Sequence, residues 1–110
     1  MSIKGRKPTV KEQAYMDKVR EFGCIVCYLT AGVRKNCEIH HIEGKTKPNC
    51  HFLVLGLCFE HHRAGRRFRP ISRHPYKRRF TDAYGTEYDL LKKQNELLEQ
   101  IDESDSYLPF

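Results

Sequence analysis

The chain has 110 residues with a formal net charge of +6 at pH 7, a length that suits one domain with a small core. No apolar run approaches the length that spans a bilayer, which argues against a membrane protein. The charge is uneven, because residues 1–80 hold 18 basic and 6 acidic groups whereas residues 81–110 hold 2 and 8, so the basic part favours a polyanionic partner such as nucleic acid.

The first ten residues, MSIKGRKPTV, are basic and contain no apolar stretch of the secretory type. We therefore expect a cytoplasmic protein whose cysteines stay reduced, with residues 1–9 forming a basic arm. Five cysteines in such a chain favour metal binding over a disulfide framework. A structural metal would also stabilise a domain whose core is small.

The first predicted element is a helix from about Val10 to Phe22. Thr9 and Glu12 have the spacing of a capping box, and apolar residues then recur at intervals of four and three. Gly23 is expected to end this helix. A polar turn and loop are predicted over residues 30–36.

Two β-compatible segments follow, at residues 37–42 and 52–57. The intervening residues 43–49 contain Gly, Pro and Asn, which break regular structure, so a hairpin with a long loop is expected. Residues 58–65 are predicted to form a helix of two turns at most. Cys24 and Cys27, which follow Gly23, are expected to lie in a tight turn, or knuckle, and the knuckle, the hairpin and the short helix together occupy about residues 23–66.

A dense basic stretch covers residues 63–79, where prolines favour extended or turn conformations. Aromatic residues interleave with the basic ones, which is typical of a surface that follows phosphates and stacks on occasional bases. We therefore predict that this stretch binds DNA through Arg63, Arg66, Arg67, Arg69, Arg73, Lys77, Arg78 and Arg79.

The last predicted element is a helix over about residues 86–102, because Thr86 and Asp89 form a capping signature ahead of a leucine stripe. This stripe is expected to pack on the core, with a dimer contact as the alternative. The protein is accordingly expected to be a monomer or a weak dimer. Residues 104–110 are predicted to be a tail.

Two pairs of metal-ligand type stand about thirty residues apart. A tight turn points two thiolates of a C-x-x-C pair at one tetrahedral zinc, and C-x-x-H at a helix start supplies the other half. These pairs predict a structural zinc site formed by Cys24, Cys27, Cys58 and His61. Cys37 and Cys50 are interpreted as small buried hydrophobes, with Cys37 as an alternative ligand.

The histidines cluster between His40 and His74, which is unusual for packing alone. His40 and His41 are consecutive on the first predicted strand, so they point to opposite faces if the strand is regular. A bend or bulge would bring both into one pocket, and bulges are frequent beside active sites.

The order of these motifs resembles the HNH, or ββα-metal, endonucleases in their zinc-stapled form. More narrowly, residues 10–100 resemble the bacteriophage recombination-enhancement (Ref) nucleases, which depend on RecA. The resemblance is carried by GCIVC at 23–27, EIHHI at 38–42, LCFEHHR at 57–63, HP at 74–75 and FTDAYGTEYDLL at 80–91.

The resemblance implies an α+β fold, with a small zinc-stapled, treble-clef-like ββα-metal domain over residues 10–103 and helices flanking it at both ends. It also implies a phage- or prophage-encoded DNA endonuclease in a bacterial host, with Mg²⁺ or Mn²⁺ as the catalytic ion. The substrate would be single-stranded DNA, a duplex or a recombination intermediate, with a RecA filament as partner. Nothing in the basic stretch encodes readout of base edges, so little sequence specificity is expected.

The resemblance assigns individual roles within the histidine group. His41 matches the general base, and His40 matches the neighbouring metal ligand. His62 and His74 compete for the opposite ligand position. The middle position matches His51, with an orienting role, while Asn49 has the residue type but not the favoured position.

A second class of function remains open from the same residues. A zinc-binding DNA-binding or recombination accessory module would use the histidines for another structural zinc and would cleave nothing. A zinc-stapled scaffold for protein contacts is a third alternative. His41 separates the nuclease from the accessory module, because a binding module does not need a base.

Overall fold

The computed structural model of the protein describes residues 5–66 and 69–106, in which four α-helices surround a two-stranded antiparallel sheet. In chain order the elements are α1 (Val10–Phe22), α2 (Ile25–Ala31), β1 (Glu38–His41), β2 (Val54–Leu57), α3 (Lys77–Tyr84) and α4 (Glu87–Ser106). A 3-10 turn at Cys50–Phe52 precedes β2, and a π-helical turn at Glu60–Ala64, the π turn, follows it. This arrangement confirms the small α+β class.

Helix α1 begins and ends where its local sequence predicts. The backbone N–H of Glu12 donates to Thr9 Oγ1 at 3.2 Å, and the backbone N–H of Thr9 donates to the Glu12 carboxylate at 2.8 Å. Gly23 ends the helix with φ +104°, a conformation that favours glycine. The predicted bounds of this helix are confirmed.

Helix α2 is absent from the prediction, which placed Thr30 at the start of a loop. Its N-cap is Cys24, whose sulfur accepts a hydrogen bond from the backbone N–H of Cys27. Gly32 ends it in the left-handed region at φ +68°. The loop therefore begins after the helix, and the prediction for Thr30 and Ala31 is wrong.

The sheet is shorter than predicted, at four residues in each strand. Its register pairs Glu38 with Leu57 and His41 with Val54, without interruption between them. Phe52, expected to begin the second strand, lies instead in the 3-10 turn together with His51. The cause is local, because Asn49 adopts a left-handed conformation at φ +62° and turns the chain before β2.

The outer edge of β2 is covered by a side chain rather than by a third strand. The buried amide of Gln94 accepts from the backbone N–H of Gly56 and donates to the carbonyl of Val54, both at 2.9 Å. This satisfies backbone groups that an open edge leaves unpaired. The leucine stripe of α4 packs on the core as predicted, with Leu90, Leu91 and Leu98 buried.

The basic stretch contains a helix that the prolines did not suggest. Helix α3 begins at Lys77, inside the predicted extended segment, and its fully buried Phe80 packs against Tyr84 with ring centroids 5.0 Å apart. Burial of the Phe80 face therefore stabilises a helix in this part of the basic stretch.

Helix α4 is N-capped as predicted, since Asp89 N–H donates to Thr86 Oγ1 at 3.1 Å. It continues to Ser106, so the predicted tail at 104–110 is partly helical. Residues 1–4 of the predicted arm, Arg67 of the basic stretch and residues 107–110 lie outside the described residues. None of the helices in the described part of the chain has the length and apolar character needed to cross a membrane.

Candidate metal centre and histidine cleft

The first group of potential ligands is the Cys/His cluster, formed by Cys24, Cys27, Cys58 and His61. Their ligand atoms all lie within 4.8 Å of one another, and three of the four residues are buried. The N-terminus of α2 supplies the first two, the end of β2 leads into Cys58, and the π turn supplies His61. The structure thus brings together the four residues that the spacing selected.

The distances in the Cys/His cluster fit one tetrahedral zinc ion. Such an ion separates two sulfur ligands by about 3.8 Å and a sulfur from a nitrogen by about 3.5 Å. Here the sulfurs of Cys27 and Cys58 are 3.7 Å apart. His61 Nδ1 lies 3.6, 3.5 and 3.1 Å from the sulfurs of Cys24, Cys27 and Cys58.

The chemistry of the thiols agrees with a cation site. Burial raises the pKa of the Cys27 and Cys58 thiols, and the charge of Cys24 raises both further. Burial also acts to raise the pKa of Cys24, but hydrogen bonds from His61 and from the backbone N–H of Cys27 outweigh it and lower this pKa to about 7. Thiolates this close together need a cation to balance their charge. Cys37 and Cys50 are not members of the cluster, and the Cys37 sulfur contacts the carbonyl of Val19 instead.

The second group is the histidine trio of His40, His62 and His74, which come from β1, the π turn and the segment that precedes α3. One ring nitrogen from each lies within 4.8 Å of the others, and all three pairs of ring centroids are 5.2 Å apart. Two backbone hydrogen bonds tie Arg73 and His74 to the carbonyls of His61 and His62. The structure therefore brings His62 and His74 to the same place, although the sequence made them competitors.

Two imidazoles of the trio pair with carboxylates. His40 Nε2 lies 2.7 Å from Glu87 Oε2, and His62 Nδ1 lies 2.7 Å from Glu38 Oε1. Each carboxylate is also paired with an arginine, Glu87 with Arg73 and Glu38 with Arg63. A carboxylate behind an imidazole fixes the ring and strengthens it as a ligand.

These ion pairs shift the carboxyl groups toward the charged form. The Arg63 guanidinium, followed by His62, lowers the pKa of Glu38 to about 2. Burial raises the pKa of Glu87, but hydrogen bonds from His40 and Arg73 outweigh it and the net shift is downward. Sequence reasoning missed the roles of both glutamates, although both lie within the segments that carried the family resemblance.

A cleft of about 420 Å³ is lined by the trio and by His41, the histidine that matches the general base. No bulge interrupts β1 between Glu38 and His41. His40 is buried against Glu87, at 4% exposed, while His41 turns to the other side of the strand. Both nevertheless line this cleft, so the expected bulge is not needed.

His41 pairs with His51, the residue favoured for the middle position. His41 Nε2 lies 3.0 Å from His51 Nδ1, and the rings meet edge to face. The second ring nitrogen of His41, Nδ1, is buried without a hydrogen-bond partner in the described part of the chain. Asn49 makes no side-chain capping bond, and its left-handed backbone shapes the turn before His51.

Two of the site histidines are biased toward the neutral form. Burial, followed by the proximity of His51 and Lys45, lowers the pKa of His41 to about 4. Burial and the charge of Arg73 also lower the pKa of His74. A neutral imidazole is the form that binds a cation or accepts a proton.

The basic stretch divides into two parts by what its side chains contact. Arg73, only 14% exposed, forms an ion pair with Glu87, and Arg63 forms a bidentate ion pair with Glu38. The structure therefore gives these two arginines a supporting role at the trio. The remaining described members are exposed, namely Arg66, Arg69, Lys77, Arg78 and Arg79.

A family model described as recombination enhancement, RecA-dependent nuclease matches residues 8–99. The chain belongs to this family. The match extends from just before α1 into α4, so it includes both groups of potential metal ligands. The family description names recombination enhancement, dependence on RecA and nuclease action, and a nuclease acts on nucleic acid.

Proposed function

We propose that this protein is an HNH-type endonuclease, stabilised by structural zinc, that uses Mg²⁺ or Mn²⁺ to hydrolyse DNA phosphodiesters with little sequence specificity. We place it in the cytoplasm of a bacterial host, encoded by a phage or prophage. It would act in recombination on DNA engaged by a RecA filament. The family match supports nuclease activity, a nucleic-acid substrate and the RecA relationship.

One observation carries this proposal, which is that His40, His41, His62 and His74 line a single cleft. Three of them form a group that could hold one cation, and the fourth stands beside that group with a ring nitrogen free of partners among the described residues. A binding module has no need for this fourth residue. His40 and His41 come from β1 and His62 from the π turn, and the order β1, β2, π turn is the order expected of a ββα-metal nuclease.

The trio would hold the catalytic cation through imidazole nitrogens backed by Glu38 and Glu87. When bound, a divalent cation supplies positive charge that neutralises charge developing on the phosphate and on its departing oxygen. The two glutamates keep the rings of His62 and His40 oriented, and Arg63 and Arg73 hold the glutamates. Imidazoles bind Mn²⁺ more readily than Mg²⁺, so faster cutting is expected with Mn²⁺.

His41 would act as the general base that removes a proton from the attacking water. Its lowered pKa keeps the ring neutral at cellular pH, and its Nε2 is occupied by His51. The proton would therefore be taken at Nδ1. The exposed cations of the basic stretch, from Arg66 to the start of α3, would follow the DNA backbone beside the cleft.

The Cys/His cluster would be structural because it offers four protein ligands and no open position. It holds the N-terminus of α2 and the π turn together, and thereby fixes His62, the residue after its ligand His61.

The test compares His41→Ala with the wild type on single-stranded, duplex and recombination-intermediate DNA. Reactions contain Mg²⁺ or Mn²⁺, with and without RecA filaments. We expect the cutting rate to fall by about 10²- to 10⁴-fold, the usual contribution of a general base. Zinc content and circular dichroism should match those of the wild type.

Asn49→Gly is the matched control, because it changes the loop that follows His41, at a left-handed position that glycine tolerates. It should cut at close to the wild-type rate. Cutting that survives His41→Ala would contradict the mechanism. A wild type that binds DNA but is inert with both metals, with and without RecA, would favour the accessory module.

A further inference from the structure

The segment before α1 is fixed to the loop between β1 and β2 through its backbone. The N–H of Arg6 donates to the carbonyl of Lys45 at 2.6 Å. Gly5 lies so close to this loop that a Cβ added there would collide with Lys45 Cβ. At its other end the segment runs into Thr9, the capped start of α1. Terminal segments stay ordered only when they are tied down in such a way.

The same segment reaches the candidate base through a second hydrogen bond. The carbonyl oxygen of Arg6 lies 2.5 Å from His51 Nε2, and His51 Nδ1 lies 3.0 Å from His41 Nε2. The Arg6 carbonyl, His51 and His41 thus form a continuous chain of hydrogen bonds, called the relay below. Arg6 belongs to the arm, and His41 lines the cleft.

The direction of each hydrogen bond follows from the carbonyl. A carbonyl only accepts, so His51 Nε2 must carry a proton. A neutral His51 then has its lone pair on Nδ1, and His41 Nε2 must donate to it. The remaining nitrogen of a neutral His41, Nδ1, is left with a lone pair and with no partner among the described residues.

We infer that the backbone carbonyl of Arg6 is a positioning group for the base, which sets the tautomer of His51 and so presents the lone pair of His41 at Nδ1. This inference rests on the proposed function, since it assigns the arm a task in that reaction. The arm acts through a backbone atom, so its contribution depends on docking and not on its charge. Loss of docking should therefore lower kcat and leave KM nearly unchanged.

The test displaces the arm with Gly5→Ala, whose new Cβ meets Lys45 Cβ. We expect kcat for DNA cutting to fall by about 10-fold or more, against the 10²- to 10⁴-fold usual for a base. Lys7→Ala is the matched control, because it removes a charge from the same segment without touching the relay. Its kcat should stay within about twofold of wild type.

A double-variant cycle keeps the test valid if Gly5→Ala also disturbs folding. Lys45→Gly removes the Cβ that the new methyl group would strike. Gly5→Ala should therefore lower kcat much less in the Lys45→Gly background than in the wild type. An equal loss in both backgrounds would overturn the proposed docking.

The tautomers provide a readout that needs no cutting. Long-range ¹H–¹⁵N spectra of the zinc-loaded protein should show His51 and His41 both protonated at Nε2, and Gly5→Ala should show mixed tautomers. A wild-type His51 protonated only at Nδ1, or unchanged tautomers in Gly5→Ala, would overturn the inference. A wild type with both expected tautomers that cuts no DNA would remove the proposed function while supporting the relay.

Discussion

The Cys/His cluster and the histidine trio are neighbours in the chain but differ as metal sites. The cluster has three thiols and one imidazole with tetrahedral spacing, and three of its four residues are buried. The trio has imidazoles alone, becomes more exposed from His40 to His74, and borders a cleft. A closed set of four ligands suits a structural ion, whereas three ligands at an open cleft leave positions for water and a phosphate.

The two groups are joined by a single peptide unit, between His61 and His62. Hydrogen bonds from Arg73 and His74 to the carbonyls of this pair extend the connection to the third member of the trio. In the proposed function, an ion bound by the Cys/His cluster would therefore also hold the trio in place. We predict that substitutions in the cluster unfold the domain, whereas substitutions at the trio reduce DNA cutting and leave the domain folded.

The largest effect is expected when the cluster loses one thiol. Cys58→Ser should release zinc and unfold the domain, because zinc binding contributes on the order of 10 kcal/mol in small zinc domains. Metal analysis and far-ultraviolet circular dichroism measure the two losses. Cys37→Ser is the matched control, since Cys37 lies outside the cluster, and it should keep about one zinc per chain. A Cys58→Ser protein that stays folded without zinc would contradict a structural role for the cluster.

The next effect concerns the support of the trio. Glu87→Gln should weaken the hold on His40 and lower the affinity for Mn²⁺ by about 10- to 100-fold, as is usual for partners behind a metal ligand. Titration of the cutting rate with Mn²⁺ measures this change while zinc content stays constant. Glu96→Gln, on the exposed face of the same helix, should have no such effect. If the cutting rates of the two variants depended on Mn²⁺ concentration in the same way, Glu87 would have no role in supporting the metal ligand.

A smaller effect is expected at the exposed start of α3. The double variant Lys77→Ala, Arg78→Ala should weaken DNA binding and reduce the salt slope of log K by about 1 for each phosphate that the variant no longer neutralises. The matched control is Lys92→Ala, Lys93→Ala on the acidic helix α4, where the slope should not change. Binding isotherms at several salt concentrations provide the measurement. Equal slopes in both double variants would place the DNA elsewhere.

The smallest effect lies outside both groups, at the cap of α1. Thr9→Ala should lower stability by about 1 kcal/mol, and the Tm by about 5 °C, because it removes an N-cap hydrogen bond. Metal content should be unaffected. A Tm unchanged within about 1 °C would show that the cap contributes nothing measurable.

The same cap predicts a pH dependence. The Thr9 backbone N–H lowers the pKa of Glu12 in the folded state. The ionised Glu12 carboxylate therefore contributes its full stabilisation above the pKa of the unfolded state, ~4.3, and this stabilisation is lost as the pH falls through the lower pKa of the folded state. Glu12→Gln should remove this part of the acid dependence in thermal melts. An identical acid limb in both proteins would contradict it.

Local sequence predicted the elements that local chemistry stabilises. Helix α1 and the start of α4 were found because Thr9 and Thr86 cap them with their own side chains. Local sequence does not predict α2, because this helix has seven residues and is N-capped by a cysteine instead of Ser, Thr, Asp or Asn. Helix α3 is not predicted because it depends on contacts with the core. The buried ring of Phe80 holds α3 despite three basic residues in its first turn, where cations are unfavourable.

The candidate site divides in the same way. The spacing of Cys24 with Cys27 and of Cys58 with His61 selected the four residues that the structure groups, and their role as zinc ligands stays a prediction. The resemblance named His41 and His51, and the structure places them in contact. No local pattern assigned His40 to Glu87, which lies 47 residues further along the chain.

The α+β class, the two capped helices, the family and the residue types of both groups could be predicted from the linear chain, because they depend on capping patterns, ligand spacing and the order of the motifs. The folded structure adds that His62 and His74 share one group and that Arg63 and Arg73 support glutamates. It also shows that the arm reaches His51. These outcomes depend on contacts between distant segments, and the chain forms such contacts only when the core and backbone hydrogen bonds fix where each segment lies.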